Sequence, residues 1–592
     1  MREVWNLYNE VLRAISSPAR RFLNWYSVTL AVLSIVDAAA LGMLALLIAP
    51  MSIGDAATLP LIGELDQTGL LIAIAVLCTL IVMKGIAAVG VTFWATRQGA
   101  KYELEIGSRL FRAYIRAPWE LRLSRNSSDI VRFTDSSVSV LIPGFLLPGA
   151  TLLSEGLSLV SILIVVAVAQ PMTAVTTVLY LGLIAAVLYF WIARESRRAG
   201  EVNLRFSLLT SRLILSMVAS MKEITLRGKM DEVATTVDEA RERATRARAN
   251  INFLGQVPRY ALESGIIGGF VLVGVVGFWL GGIATAFVSV ALFAVAGFRM
   301  APAVVRAQSV LSQLTANSPH ARGVLDEIYA SESASTDIEV RDQKQLAHEP
   351  QKLVLDDVVY HYPTSEAPAL DGVSLEITMG TTVAFVGPSG SGKSTIIDAI
   401  LGLLQPRSGV ISLDGQPIPE ISHAWRSRLG YVPQDVSIFD GTVAENVALS
   451  WSGAYDEDKV MEALRKATLL DTVESRPGGI NARVGERGLA LSGGQRQRLG
   501  IARALYPEPY ILVMDEATSA LDAKTEAAVS QAVNQLKGNT TLILVAHRLS
   551  TIMQADVIFY MRDGRIVDRG TFTELIKRVP DFAQQAELSG LT

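Results

Sequence analysis

The stretch "VAFVGPSGSGKSTIIDAI", Val383–Ile400, decides the reading of the chain's second half. A short apolar run of strand type leads into a glycine-rich turn, and an aliphatic run of helix type leaves it. Gly387–Ser394 fits the pattern G-x-x-x-x-G-K-S. Glycines at such a turn let backbone N–H groups converge on phosphate oxygens, and the following helix N-terminus adds a favourable dipole. Gly387, Ser389, Gly390, Gly392 and Thr395 form the cradle. Lys393 is placed to reach the β- and γ-phosphates of a nucleotide, and the Ser394 hydroxyl to ligate Mg²⁺.

Further along, "YILVMDEATSALD", Tyr510–Asp522, reads as an apolar strand that ends in two carboxylates. Asp515 at its tip suits Mg²⁺, and Glu516 is placed to polarise an attacking water. A lone Asp-Glu pair is more often a solvated strand end, but here a phosphate-binding loop precedes it in the same domain. His547 ends another apolar strand, "TLILVAHRLS", and is placed to contact the γ-phosphate or that water. The other four histidines lack such a setting and read as surface residues.

Outward from this domain the chain changes character. Half of its 592 residues are hydrophobic and mean hydropathy is +0.35, unusual for a soluble enzyme. Six apolar segments precede residue 310: Trp25–Ala49, Leu70–Trp94, Pro143–Ala169, Met172–Ile192, Tyr260–Leu280 and Ile283–Val305. Each approaches or exceeds the roughly 20 residues that cross a hydrocarbon core as a helix. Buried helices of a large soluble protein would not repeat at this length.

Lysine and arginine give the orientation. Pro50–Thr68 contains neither, whereas Arg97–Arg132 and Arg194–Arg248 are strongly basic. The positive-inside bias puts both long loops and both termini in the cytoplasm, as expected for a bacterial inner membrane protein. Each loop holds a place to turn, "APWELRLSRNSSD" after Ala117 and "ASMKEITLRGK" after Ala219. Before the first span, Val4, Tyr8, Val11, Leu12 and Ile15 share one helical face, either at the inner interface or packed on the loops. Tyr329–Pro350 is polar and punctuated, so it reads as a linker or as a fraying helix end followed by one.

The net charge of −4 argues neither for nor against nucleic acid; the six spans set aside a soluble ATPase that acts on it. The single cysteine, Cys78, rules out an intrachain disulfide and reads as a packing residue in an apolar run. No compact apolar core with a small-residue cleavage site marks a signal peptide.

"LSGGQRQRLGIARAL", Leu491–Leu505, then brings in a family. Together with the motifs above it resembles the signature of ABC transporter ATPase domains. The resemblance runs from Leu353 onward and includes a Q-loop at Gln434 in "YVPQD" and a D-loop at Ser519–Asp522. It also places Tyr362 of "VVYHYP" where an aromatic stacks on adenine, and an exporter-specific loop at Val484–Gly488. With six spans ahead of it, the chain looks like a half-transporter of the type IV ABC exporter fold. The implied fold is an α-helical membrane domain of six transmembrane helices fused to an α/β P-loop ATPase. The domains run 1–328, a linker 329–350, and the nucleotide-binding domain 351–592.

The resemblance implies ATP and Mg²⁺ as cofactors, with Gln434 joining Ser394 and Asp515 at the metal. Glu516, His547 and Gln434 form its catalytic set. Ser492, Gly494 and Gln495 would address the γ-phosphate held by a second subunit, so one chain cannot complete its own site. A homodimer is the simplest expectation, a heterodimer the alternative. Segments near Trp119–Ser124 and Ser220–Leu226 would be coupling helices. "STIIDAILGLLQPRSG", "LGYVPQDVSIFDGTVAEN", "IARALYPEP", "KEITLRG" and "VPRYALE" look closest to the lipid-linked oligosaccharide flippases of the PglK-like group. Multidrug or general lipid export is the alternative, ahead of a peptide exporter or an ATP-gated channel; import is left open. Lys84, Arg259, Arg299 and Arg306 sit at the inner level of different spans. They either receive an anionic lipid head group or pair with Asp37, Glu155 or Glu263.

Overall fold

The computed structural model describes residues 2–51, 58–59, 63–64, 67–123, 130, 132–169, 171–339, 346, 348–363, 365–485, 488–515, 517, 526, 531, 536–545, 549–589 and 591. Some helical residues, Asp37 and Arg299 among them, are described by backbone alone. The chain divides into two compact units. Unit 1 is Met1–Ala117 with Ser124–Ser333, and unit 2 is Pro118–Leu123 with Ala334–Thr592.

Unit 1 is helical. Helix α1 (Arg2–Ala14) precedes α2 (Ser17–Met51) and α3 (Gln67–Arg116). Two π-helical stretches, Arg132–Ser137 and Ile142–Leu146, lead into α5 (Leu147–Ala169), since α4 (Trp119–Leu123) belongs to unit 2. Then come α6 (Pro171–Ala219), α7 (Met221–Leu226) and α8 (Met230–Glu339). Helix α8 is broken once, at Gly281–Gly282, where Gly282 takes φ +75°. That left-handed conformation costs glycine little and other residues more, so the glycine pair serves as the turn between the last two apolar segments.

All six apolar segments fall within helix or π-helix. Among the described residues four stretches are long and apolar enough to cross a membrane: Leu71–Arg116, Arg132–Ile164, Ala174–Ala219 and Met230–Ala291. Only 6% of the most apolar window of Leu71–Arg116 is buried, so this helix turns its apolar surface outward. Cys78 is exposed there, which corrects its reading as a packing residue. In a membrane helix apolar character no longer implies burial against protein.

Helix α1 packs on protein. Leu7, Tyr8 and Val11 are buried in one cluster with Phe22, Tyr102, Phe145 and Leu325. Its acidic residues pair outward, Glu3 with Arg197 (2.6 Å) and Glu10 with Arg322 (3.0 Å). The last part of α8 is stitched to its neighbours by polar contacts. Gln308 donates to the Ala185 carbonyl at 2.8 Å, and Ser312 meets Ser196 at 2.8 Å. Asn317 donates to the Gly144 carbonyl at 2.9 Å, and Arg109 grips Glu332 through two nitrogens at 2.6 and 2.8 Å. His320 is buried beside Ser137, with Nδ1 and Oγ 3.3 Å apart. Burial, then the Arg132 charge, pushes its pKa down to about 4, so it stays neutral. It is not the surface residue its sequence setting suggested. Helix α8 also runs on to Glu339, into the expected linker, because no glycine or proline interrupts residues 324–339.

Unit 2 contains two sheets. Strands β1 (Lys352–Tyr360), β2 (Leu370–Thr378) and β4 (Ser408–Leu413) form an antiparallel sheet in the order β2-β1-β4, extended by Gln416–Pro417. The six-stranded sheet uses β3 (Thr382–Val386), β5 (Leu429–Val432), β6 (Ile511–Asp515), β7 (Thr541–Val545), β8 (Val557–Arg562) and β9 (Arg565–Gly570). Its order is β9-β8-β3-β7-β6-β5, parallel except for the β8–β9 hairpin. Strand β3 is buried at every position between β7 and β8, as its unbroken apolar run requires. Helices α9 (Lys393–Ile400) and α10 (Gly493–Leu505) pack in separate clusters, α9 with β1–β4 and α10 with β5 and β6.

Candidate functional site

Strand β3 delivers the chain to a loop that only small residues can follow. Gly387 has φ +151°, and a Cβ there would stand 2.1 Å from the Met561 carbonyl oxygen. Gly392 has φ +98°, and its Cβ would stand 2.7 Å from the Ala369 carbonyl oxygen. Gly390 is also left-handed, at φ +81°, but faces open space. Backbone thus lies where side chains would otherwise be, which is what an anion needs to approach N–H groups closely. Ser389, Gly390 and Ser394 are exposed at this loop, while Thr395 is buried. Lys393 is 7% exposed and curls over the loop, donating to the carbonyls of Gly387 (2.8 Å) and Pro388 (2.9 Å).

Beside the loop stands the aromatic Tyr362, whose hydroxyl lies 3.2 Å from Thr395 Oγ1. Its ring meets Tyr360 edge-on, 5.1 Å between centroids. Candidate base platform and phosphate loop are therefore joined by a direct contact.

Asp515 ends β6, paired in register with Val545 of β7. Tyr431 donates to Asp515 Oδ2 at 3.5 Å. Burial, then the Asp515 and Asp398 charges, pushes the Tyr431 hydroxyl up to about 12. Asp398, on α9, is pushed up to about 6 by burial and then by Asp515. Sequence reading missed Asp398 and Tyr431; only the folded chain brings α9 and β5 to the tip of β6. The oxygen set of Asp515 and Ser394 is of the kind that holds a hard divalent cation such as Mg²⁺. Gln434 is exposed, two residues beyond the last β5–β6 pair, Val432–Met514. Glu516, His547 and Ser519–Asp522 lie outside the described residues. So do Glu486 and Arg487 of the Val484–Gly488 loop.

The signature segment has a local structural role. Ser492 Oγ accepts from the Gln495 amide (3.3 Å) and Gln495 Oε1 from the Ser492 amide (2.9 Å). This reciprocal cap starts α10, as S-x-x-Q predicts. Gly494 lies in its first turn.

Of the basic residues in the spans, Arg306 pairs with Glu155 at 2.8 Å and Arg259 with Glu263 at 3.0 Å. Lys84 also has a polar partner. The side chain of Arg299 lies outside the described residues.

The family model described as ABC transporter matches residues 370–519. An "ATP-dependent lipid A-core flippase" of Ralstonia nicotianae is 31% identical over 524 residues, 85% of each chain. The chain belongs to the ABC transporters. A Salmonella typhimurium protein also named ATP-dependent lipid A-core flippase is 44% identical over 229 residues. That match spans 38% of this ABC transporter and only 39% of the relative's length. A "Multidrug resistance ABC transporter ATP-binding and permease protein" of Lactococcus lactis is 42% identical over 265 residues, 43% of this chain and 45% of its own. A solved bacterial Atm1-family ABC exporter with ATP bound shares the fold, with TM-score 0.74 and 24% identity over 96% of this chain and 98% of that one. A helical membrane unit followed by an ABC ATPase unit is the half-transporter arrangement of the type IV exporters.

Proposed function

We propose that this ABC transporter acts as a homodimer that hydrolyses ATP to export or flip a lipid, and that the lipid is anionic, of the lipid-linked oligosaccharide class. The observation that carries the reading is the phosphate loop Gly387–Thr395, joined to Tyr362, in a chain whose Ralstonia relative is a flippase by name over 85% of its length. In the proposed cycle Tyr362 stacks on the base, and the loop amides with Lys393 hold the phosphates. Asp515, Ser394 and Gln434 hold Mg²⁺, which when bound neutralises charge on the phosphates. Glu516 orients the attacking water and His547 faces the γ-phosphate.

Ser492, Gly494 and Gln495 would act on nucleotide held by a second copy. Two features support such a partner. Signature helix and phosphate-loop helix pack in separate clusters of one unit. Helix α7, one of the two loop helices, buries no residue within this chain, and Leu226 is 77% exposed. Coupling through α4 and α7 fits a membrane unit that moves as the ATPase units close. The chain would lie in the inner membrane with ATPase unit and termini in the cytosol.

For cargo, Lys84, Arg259, Arg299 and Arg306 are the basic residues available at the inner level. Arg306 and Arg259 each donate through Nε to a carboxylate, Glu155 and Glu263, so a phosphate would share each guanidinium with that carboxylate or displace it. The Lactococcus relative favours a second reading, multidrug export. ATP turnover of the purified protein in lipid nanodiscs separates the two. Stimulation by lipid-linked sugars or lipid A-type molecules, with none by amphipathic drugs, is expected; the reverse pattern would overturn the lipid reading.

A further inference from the structure

Two helices of unit 1 run side by side where they leave the apolar spans. The fourth apolar segment, in α6, ends at Ile192, and the fifth, in α8, starts at Tyr260. Beside these points, residues 191–206 of α6 and residues 243–254 of α8 enclose a groove of about 480 Å³. The Arg243 guanidinium lies 5.1 Å from the Phe206 ring centroid, and Arg248 donates to Asn203 at 3.4 Å. These contacts make the two helices antiparallel neighbours along the groove.

The groove is graded along its length. At the end nearer the spans are Trp191, Phe253 and Leu254. Phe253 is 62% exposed and Trp191 48%, so two rings lie uncovered where the spans end. Aromatic rings collect at that level of a membrane protein because they suit the head-group region. At the other end Arg198, Arg243 and Arg246 stand against one carboxylate, Glu195. Residues 191–206 hold four arginines and two glutamates, and residues 243–254 hold three arginines and no acidic residue, so the surroundings keep the groove positive. Arg198 donates through one nitrogen to Glu195 at 2.9 Å, and Arg246 through one to Glu242. A guanidinium has five N–H donors, so both keep donors for a second anion. Arg198 is seven residues from Trp191, and Arg246 seven from Phe253. That is ~10 Å along each helix, close enough for a long arginine stem to reach the head-group layer.

We infer that this groove binds an anionic phospholipid, its phosphate between Arg198 and Arg246 and its glycerol and upper acyl carbons against Trp191 and Phe253. Basic grooves between helices at the membrane surface suit such head groups, since each arginine there attracts anionic lipid. The uncovered rings commit the ligand to a lipid: a free phosphate would use the arginines and leave the aromatic end in water. Arg243, lying over Phe206, closes the far end of the groove. The site shares no residue with Lys84, Arg259, Arg299 and Arg306, the span cations put forward for cargo. Its lipid belongs to the leaflet beside the two basic loops, the cytoplasmic one in the proposed orientation, and the binding test below holds in either orientation.

Native mass spectrometry of the full-length protein in mild detergent counts the lipids it retains when phosphatidylglycerol or phosphatidylcholine of the same acyl chains is added. Phosphatidylglycerol should be retained with about thirtyfold preference. Arg198→Gln and Arg246→Gln should each lower that preference about fivefold, and the double variant should remove most of it. Arg205→Gln/Arg241→Gln takes the same charge from α6 and α8 outside the groove and should lower it no more than about twofold. Equal losses in the two double variants would mean diffuse attraction and would overturn the site. An unchanged preference in Arg198→Gln/Arg246→Gln would do the same. Loss of the preference in Arg306→Gln, with the groove intact, would move the lipid to the span cations and also overturn it. Glycerol 3-phosphate, the free head group, should not displace phosphatidylglycerol at equal concentration; displacement would make this a site for soluble phosphates. Arg198, Arg205, Arg241 and Arg246 are all exposed, so these variants keep the fold on which the comparison depends.

Discussion

The glycines of the phosphate loop allow a graded test, because the structure predicts different costs for the same change. Replacing Gly390 by alanine adds a methyl group into open space, at φ +81°. The only penalty is the left-handed backbone, about 1–2 kcal/mol for a non-glycine residue. Replacing Gly392 by alanine carries the same penalty at φ +98°, and adds a Cβ 2.7 Å from the Ala369 carbonyl oxygen. Real Cβ atoms do not come that close to backbone, so the loop or the segment before β2 must shift. Strain plus displacement costs about 3 kcal/mol or more. At about 1.4 kcal/mol per tenfold, Gly390→Ala should weaken nucleotide affinity roughly five- to thirtyfold, and Gly392→Ala more than a hundredfold. Equilibrium titration with a fluorescent ATP analogue, beside thermal melting of the same samples, measures both. Gly392→Ala should also melt earlier, since Ala369 leads directly into β2. Equal affinities for the two variants would refute the argument that backbone approach, and not glycine flexibility alone, shapes the loop.

Glu516→Gln should keep ATP binding and trap a closed dimer while turnover is lost; hydrolysis near the wild-type rate would remove Glu516 from its role. Arg306→Met should strand the Glu155 carboxylate, which is only 14% exposed, and destabilise by about 1–3 kcal/mol. Adding Glu155→Gln should restore most of the melting temperature, and no recovery would count against the pair. Asp398 gives a pH dependence. Its folded pKa, about 6, lies above its ordinary 3.8, so ionisation is penalised in the folded protein. The penalty is absent below about pH 4, grows between pH 4 and 6, and is complete above that. Its full-burial value of about 3 kcal/mol falls to about 1 kcal/mol because the carboxylate keeps solvent contact. Asp398→Asn should therefore stabilise at pH 7 and not at pH 4, read from melting curves at both; equal gains would discount the titration. Trp119→Ala and Glu223→Ala should each reduce substrate stimulation of ATP hydrolysis, and normal stimulation in both would make them plain loop residues.

What was legible in the sequence was whatever depends on neighbours along the chain. Glycine spacing in Gly387–Ser394, the apolar run of β3 and the length of the apolar helices are local patterns with local physics. They gave the α/β nucleotide unit, its phosphate loop and the helical membrane half. Partnership across distance was not legible. Nothing in "STIIDAIL" says that Asp398 will face the charge of Asp515, because that depends on how α9 lies across β6. Nor does "SPHARG" say that His320 is buried against Ser137, or "APWELRL" that Trp119 packs on the apolar cluster of the ATPase unit. The hydropathy of Leu71–Arg116 foretold a membrane helix but not that Cys78 faces outward, since in hydrocarbon an apolar face needs no protein to cover it. Charges in the spans were visible as Arg306 and Glu155, 151 residues apart, but only packing of α5 against α8 decides that they neutralise each other. Local propensity selects elements; the cost of leaving buried polar groups unpaired selects which elements meet, and only the tertiary structure records that choice.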